Sequence, residues 1–173
     1  MIGERDLDWE GCYNVRDLGG LPLAGGGQTR WGSIVRADVL GRLTEVGKQA
    51  ALDYGVRTVI DLRRLKEREE EPTAVFPTER VSSLFPTTEG ANPELWALFN
   101  QAQSMGEIYV LDIQHPSNMN KALVLRMVAD APPGGVVIHC HAGKDRTGII
   151  SALLLSLAGV ADEDIVADYL LSQ

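Results

Sequence analysis

Cys140 and Arg146 are separated by five residues, His141-Ala142-Gly143-Lys144-Asp145, and followed by Thr147-Gly148. Val136–His139, just before the cysteine, is a short apolar run that reads as a buried strand. After the arginine, a long apolar helix is expected from about Thr147 to Ala158, ended by Gly159. A loop entering a helix carries backbone N–H groups without intrahelical partners. Together with the helix dipole they attract an anion, and a phosphate monoester fits such a nest. The same field favours thiolate over thiol, which makes Cys140 the expected nucleophile. Arg146 offers a planar fork for two phosphate oxygens and for the charge of in-line phosphoryl transfer. The residues expected to line the phosphate are His141, Ala142, Gly143, Lys144, Asp145 and Arg146, with Arg63 as an outlying contributor. Gly143 allows tight curvature and Gly148 close helix packing. The Thr147 hydroxyl is placed to bond the sulfur and help it leave. A buried core cysteine is the bland alternative, but Gly, Lys, Asp, Arg and Thr downstream do not suit a core. His139 reads more simply as a structural histidine.

The elements that must hold this loop follow from periodicity. Leu21–Leu23 and Trp31–Arg36 flank Gly25-Gly26-Gly27 and read as a hairpin, with Ser33–Arg36 as an early strand. Leu43–Tyr54 has helical spacing, with Thr44 as N-cap and Gly55 just past the end. Val56–Leu62 is a β-branched run expected as a buried parallel strand. Arg63–Glu71 is charge-dense and reads as a solvated loop or helix. Arg80–Phe85 is expected as a strand, and Asn92–Gln103 and Asn118–Asp130 as helices. Asp162 is the expected cap of a final helix. Strands alternating with helices predict an α/β fold with a largely parallel central sheet flanked by helices. Ligands bind beyond the carboxyl ends of such strands, where Cys140 falls.

Composition narrows the partners. The 173 residues fit one domain, 1–173, and the balance of apolar and charged residues is that of a soluble globular chain. The formal net charge is −8, which argues against a general nucleic-acid or anionic-membrane surface. Ile149–Val160 is too short to span a bilayer, so no membrane span is expected. Met1–Glu10 is charged and does not read as a signal peptide. The two cysteines, Cys12 and Cys140, do not read as a disulfide framework, and the expected compartment is the cytoplasm. Nothing in the spacing brings Cys12 to Cys140.

Cys140-x5-Arg146-Thr147 resembles the signature of protein tyrosine phosphatases, and Ala142–Gly148, AGKDRTG, is similar to the atypical bacterial tyrosine and lipid phosphatases. Asn14-Val15-Arg16-Asp17-Leu18-Gly19-Gly20 resembles that family's N-terminal element. Asp61-Leu62-Arg63, followed by Glu67, resembles its Asp-Leu-Arg strand end. Arg36-Ala37 departs from the family's Arg-Ser. Relatives often continue past the segment resembling Asp168–Ser172, so a C-terminal extension is expected to lie outside this chain. The resemblance implies the cysteine-phosphatase fold and a two-step reaction through phosphocysteine, with no metal or other cofactor. It implies a phosphorylated protein or phosphoinositide as substrate, with phosphotyrosine first and phosphoserine or phosphothreonine as further candidates. Inorganic phosphate or another oxyanion is expected to occupy the loop.

The acid that protonates the leaving oxygen is the open assignment. Asp61 ranks first, at a strand end where relatives use an aspartate; Asp145 in the loop ranks second and Asp112 third. The other reading of Asp61 is a strand-end carboxylate bonded to loop amides or to Arg16. Lys144 and His141, with Arg63, suit a substrate bearing several phosphates, unless Lys144 only pairs with Asp145. Asn14, Arg16 and Asp17 either brace the phosphate loop or tie down the N-terminal turn. Two other classes compete. A rhodanese-like sulfurtransferase also holds a thiolate in an anion nest, and a thiocyanate assay separates it. A non-catalytic phospho-ligand module would bind without turnover.

Overall fold

The computed structural model describes residues 5–78, 81–86, 93–115 and 120–172. The expected starts of elements at Arg80, Asn92 and Asn118 lie outside these residues. Five strands form one sheet: β1 Arg16–Asp17, β2 Ile34–Ala37, β3 Val56–Asp61, β4 Ser82–Leu84 and β5 Gly135–His139. Their spatial order is β1-β2-β5-β3-β4. The β1–β2 pair is antiparallel, and every other pair is parallel. The largely parallel α/β layer expected from the sequence is therefore present. The helices are α1 Glu45–Asp53, α2 Leu65–Glu70, α3 Pro93–Phe99, α4 Met105–Gln114, α5 Asn120–Ala129, α6 Asp145–Ala158 and α7 Asp162–Leu170.

The period-two alternation of the central strands splits the core into two layers. Val35, Val59 and Val137 face one side, where they meet Trp9, Leu40, Leu43, Ala51 and Phe76. Ile60, Val136 and Ile138 face the other, with Val124 of α5 and Ile150 of α6. Cys140 continues the second set and is buried with it. Cys12 belongs to the first layer, so the two cysteines occupy different clusters. The Cys12 thiol donates to Asp38 Oδ1 at 2.5 Å. Burial, with Asp38 beside it, pushes that thiol well above the ordinary range. A shielding disulfide with Cys140 has no support in this arrangement.

Local signals mostly place the elements as expected. Thr44 caps α1 by accepting from the Gly47 amide at 3.2 Å, and Gly55 follows at φ 100°. The charge-dense segment forms α2. Three readings change. The triple-glycine turn joins Gly20–Leu23 to Gly27–Thr29 by backbone bonds and a Pro22–Gln28 bridge, stopping short of Trp31–Arg36, and β2 pairs instead with β1 and β5. Asp162 is the first residue of α7, and Ala161 occupies the cap position. Helix α4 was not expected, because its sequence MGEIYVLDIQ has no clear apolar stripe against a polar one.

One polar knot ties the N- and C-terminal segments to β2. Asp168 of α7 pairs with Arg5 at 2.8 Å, Arg16 at 3.1 Å and Arg36 at 2.5 Å. The Ser172 hydroxyl accepts from Arg16 and Arg36. All four charged groups are buried. Burial alone would raise the Asp168 pKa, but attraction by Arg36, Arg16 and Arg5 outweighs it and the net shift is downward. A carboxylate depressed in the folded state stabilises above its unfolded value and loses that contribution as pH falls through the folded one. The thermal-midpoint gap between wild type and Asp168→Asn is thus expected to be widest near about pH 7 and to shrink towards about pH 3, since free aspartate titrates near 3.9. A gap that does not change with pH would contradict this.

No helix among the described residues is long and apolar enough to cross a membrane.

Candidate active site

Strands β2, β5 and β3 run parallel, so their carboxyl ends meet at one edge of the sheet. Ala37–Asp38, Cys140 and Asp61–Arg63 follow those ends, and the loop 140–146 arches between them before entering α6. The scaffold holds that loop by its carbonyls. His139 Nδ1 lies 3.1 Å from the Cys140 oxygen. The Val39 amide donates to the His141 oxygen at 3.0 Å. Asn14 Nδ2 donates to the Ala142 oxygen at 2.9 Å, and Arg36 Nη2 to the Gly143 oxygen at 2.9 Å. In a trans peptide the next N–H points opposite its C=O. Four successive carbonyls turned towards the scaffold therefore turn the amides of His141, Ala142, Gly143 and Lys144 the other way, into the bowl of the loop. That is an anion nest. The start of α6 has no side-chain cap, so its own first amides add to it.

Gly143 is required on two counts. Its φ is 68°, and a Cβ there would meet the Ala37 carbonyl oxygen at 2.7 Å. Gly148 lies so near α7 that a Cβ would meet the Tyr169 ring at 2.9 Å. The curvature and packing expected of these two glycines are both present. Asn14 is the residue of the N-terminal element that reaches the loop, and Arg16 Nη1 holds the Asn14 side chain at 2.8 Å. Asp17 instead anchors the amides of Gly19 and Gly32 and the Tyr54 hydroxyl.

Arg146 is gripped end-on by Glu67, with Nη1–Oε2 and Nη2–Oε1 both at 2.7 Å. Nη1 also donates to the Leu62 oxygen at 3.2 Å. A guanidinium has five N–H bonds, two on each terminal nitrogen and one on Nε. These contacts use both hydrogens of Nη1 and one of Nη2. The hydrogens left, on Nε and Nη2, lie along one edge of the fork and match two oxygens of a phosphoryl group. The Arg146 hydrogen bonds hold Glu67 down at about 2. Burial disfavours the Arg146 charge, but the Glu67 bonds and the attraction of Cys140 and Glu67 raise its basicity overall. The resemblance marks Glu67 in the sequence, but its partner was not legible there: only the tertiary contact shows that it grips Arg146.

Asp61 is tied into a buried ion pair at the end of β3, beside His139. It is fully buried, and Arg63 holds it through Nε at 3.0 Å, Nη2 at 2.8 Å and its own amide at 3.0 Å. The Thr73 hydroxyl donates to it at 2.9 Å, and His139 Nε2 stands 3.6 Å away. Burial raises its pKa, but the Arg63 hydrogen bonds and the charges of His139 and Arg63 outweigh that, so the net shift is downward. A general acid must turn to the leaving oxygen with a proton to give, whereas this carboxylate is pinned by Arg63 and its pKa is shifted down. The placement fits the other reading, a strand-end aspartate bonded to a loop amide, although its partner is Arg63 rather than Arg16. Arg63 is likewise committed, through Asp61, Thr73 and the Glu71 oxygen, and does not face a phosphate.

Asp145 opens α6 at the rim of the bowl. Its Oδ1 accepts from the Tyr109 hydroxyl of α4, and Lys144 does not pair with it among the described residues. Asp112, three residues further along α4, pairs with Lys121 at 2.8 Å. Lys144 occupies the α6 cap position, and His141 is half exposed with Nδ1 3.7 Å from Glu71. Thr147 Oγ1 is buried in the first turn of α6 without a hydrogen-bond partner, so the expected bond to the Cys140 sulfur is not made here.

A cysteine at a strand end, an outward-braced loop and an arginine fork at a helix start together form a candidate anion-binding site. Residues 7–173 match the tyrosine phosphatase family's sequence profile, and the chain belongs to that family. It is 38% identical to a tyrosine-protein phosphatase of Nostoc commune over 144 residues, 81% of this chain and 48% of that protein. It is 28% identical to the triple specificity protein phosphatase PtpB of Mycobacterium tuberculosis over 189 residues, 94% of this chain and 67% of that protein. The chain thus spans about half the length of the Nostoc relative. Superposition on the crystal structure of P. aeruginosa TpbA gives a TM-score of 0.41 at 14% identity, over 79% of this chain and 67% of that one.

Proposed function

We propose that this chain hydrolyses phosphate monoesters, phosphotyrosine first among them, by double displacement at Cys140. The observation that carries the reading is the loop 140–146, with its carbonyls bound outward around a buried cysteine and Arg146 beside it. In the first step the sulfur bonds phosphorus, the P–O bond breaks, and the leaving oxygen takes a proton from Asp145. In the second, water gives its proton to the Asp145 carboxylate as its oxygen bonds phosphorus, and the S–P bond breaks. The inward amides and Arg146 hold the equatorial oxygens through both steps. Burial of Asp61 in its Arg63 pair supports reading Asp145, the carboxylate within the loop, as the acid. The name of the M. tuberculosis relative, a triple specificity protein phosphatase, supports trying more than one class of phosphate monoester.

Phosphate release from aryl phosphate, phosphopeptides and phosphoinositides tests this, with Asp145→Asn set against Asp61→Asn. Asp145→Asn is expected to lose on the order of 10²–10⁴-fold in kcat at unchanged melting temperature, the usual span of a general acid. Asp61→Asn leaves Arg63 without its buried partner, a loss of about 3–5 kcal/mol. That lowers the thermal midpoint of a chain this size by roughly 10 °C. A folded Asp61→Asn protein that loses as much activity as Asp145→Asn would return the acid role to Asp61.

A further inference from the structure

We propose that Tyr109 is a positioning residue for Asp145, and that Tyr169 in turn orients Tyr109. The inference rests on Asp145 being the proton donor. Three polar groups from three helices stand in line: the Asp145 carboxylate at the start of α6, the Tyr109 hydroxyl on α4 and the Tyr169 hydroxyl on α7. The two hydroxyl oxygens are 2.9 Å apart, and the rings meet edge to face at 6.2 Å. Neither tyrosine lies in the loop or in any segment that carries its chemistry in sequence.

Hydrogen counting sets the direction of this chain. A phenol has one proton to give, and a carboxyl oxygen that carries no hydrogen has none. Burial and the Asp145 contact push the Tyr109 hydroxyl well above the ordinary phenol range, so it stays protonated. Tyr109 therefore donates to Asp145 Oδ1, and Tyr169 donates to the Tyr109 oxygen. With Oδ1 occupied by a donor, the proton that Asp145 passes on resides on Oδ2. When it leaves for the ester oxygen, the new charge on the carboxylate meets a hydroxyl already aimed at it. Donors in series strengthen one another. The Tyr169 ring also packs against Gly148, one turn into α6, so the second tyrosine is held by the helix whose first residue it serves.

A residue that acts through the acid must matter most where the acid matters most. A dinitrophenolate leaves readily without a proton, whereas a phenolate does not. Full-chain wild type, Tyr109→Phe, Tyr169→Phe and Asp145→Asn should be compared by kcat/KM on dinitrophenyl phosphate and on phenyl phosphate. Tyr109→Phe is expected to lose about tenfold on phenyl phosphate, the worth of one hydrogen bond to a charged group, and little on dinitrophenyl phosphate. Tyr169→Phe keeps its ring and should lose about threefold in the same pattern, being one bond further away. The ratio of the two substrates is taken within one preparation, so partial unfolding cancels. Equal losses on both substrates, or none, for Tyr109→Phe while Asp145→Asn still discriminates between them would overturn the positioning role alone. Failure of Asp145→Asn to discriminate would overturn the acid assignment and this inference with it.

Discussion

Cys140→Ser is expected to reduce turnover on the order of 10⁵–10⁶-fold, the scale of removing a nucleophile from a covalent mechanism, while phosphate binding survives. The separation of the two effects follows from where the binding groups sit. The four carbonyl braces of the loop come from His139, Val39, Asn14 and Arg36, and none involves the sulfur. The inward amides and the Arg146 edge therefore persist in the serine variant. What is lost is an ionisable nucleophile, since a serine hydroxyl at a strand end has no base beside it. The residue is buried and serine is slightly smaller, so the loop has no reason to move. Phosphate release together with calorimetric titration of a phosphotyrosine peptide measures both halves. Turnover above about a hundredth of wild type would remove Cys140 from the chemistry. Loss of peptide binding in a folded variant would mean that the loop does not hold the ligand.

Arg146→Lys is expected to cost on the order of 10³–10⁵-fold in kcat, as with other arginines that meet the charge of phosphoryl transfer. Charge is conserved in this exchange, so the expected loss is one of geometry. Glu67 takes one hydrogen from each terminal nitrogen and the Leu62 carbonyl a third. The guanidinium still has its Nε–Nη2 edge for the substrate. A lysine ammonium has three hydrogens in all. If it pairs with Glu67 it has too few left to span two phosphoryl oxygens, and if it turns to the phosphate it leaves the Glu67 carboxylate facing an anion. Glu67, held at about 2, stays charged across the working range and cannot relieve that repulsion by taking a proton. Steady-state kinetics on one aryl phosphate would show the loss chiefly in kcat. A lysine variant within about tenfold of wild type would show that positive charge alone suffices and that the fork does not matter.

Much of this was legible in the chain itself because it is local. The apolar run of β5, the glycine-containing loop and the start of α6 are contiguous, and each follows from short-range rules of period, curvature and helix entry. The cysteine, the arginine and the two glycines that shape the loop were therefore identifiable from spacing. So were most elements of the sheet, where β-branched runs between turn residues have few other readings. The triple-glycine hairpin misled because a turn signal states where the chain reverses, not which strands then pair. Helix α4 was missed because apolar residues occupy all its sides.

The sequence alone indicated a glycine-containing loop between a strand-end cysteine and an arginine at a helix start. Only the tertiary structure decided which distant groups complete it. Asp61 and Asp145 are the same residue type, each next to the loop in space or in sequence. Burial against Arg63 ties one into an ion pair, while the other sits part-buried at a helix start beside the Tyr109 hydroxyl. Glu67, Asn14, Arg36 and Tyr109 reach the site from 31 to 126 residues before Cys140, through contacts such as Asn14 to Ala142, 128 positions apart. The reason is physical. Backbone rules act over one or two turns of chain, whereas the protonation state and partner of a side chain are set by whatever the fold packs against it.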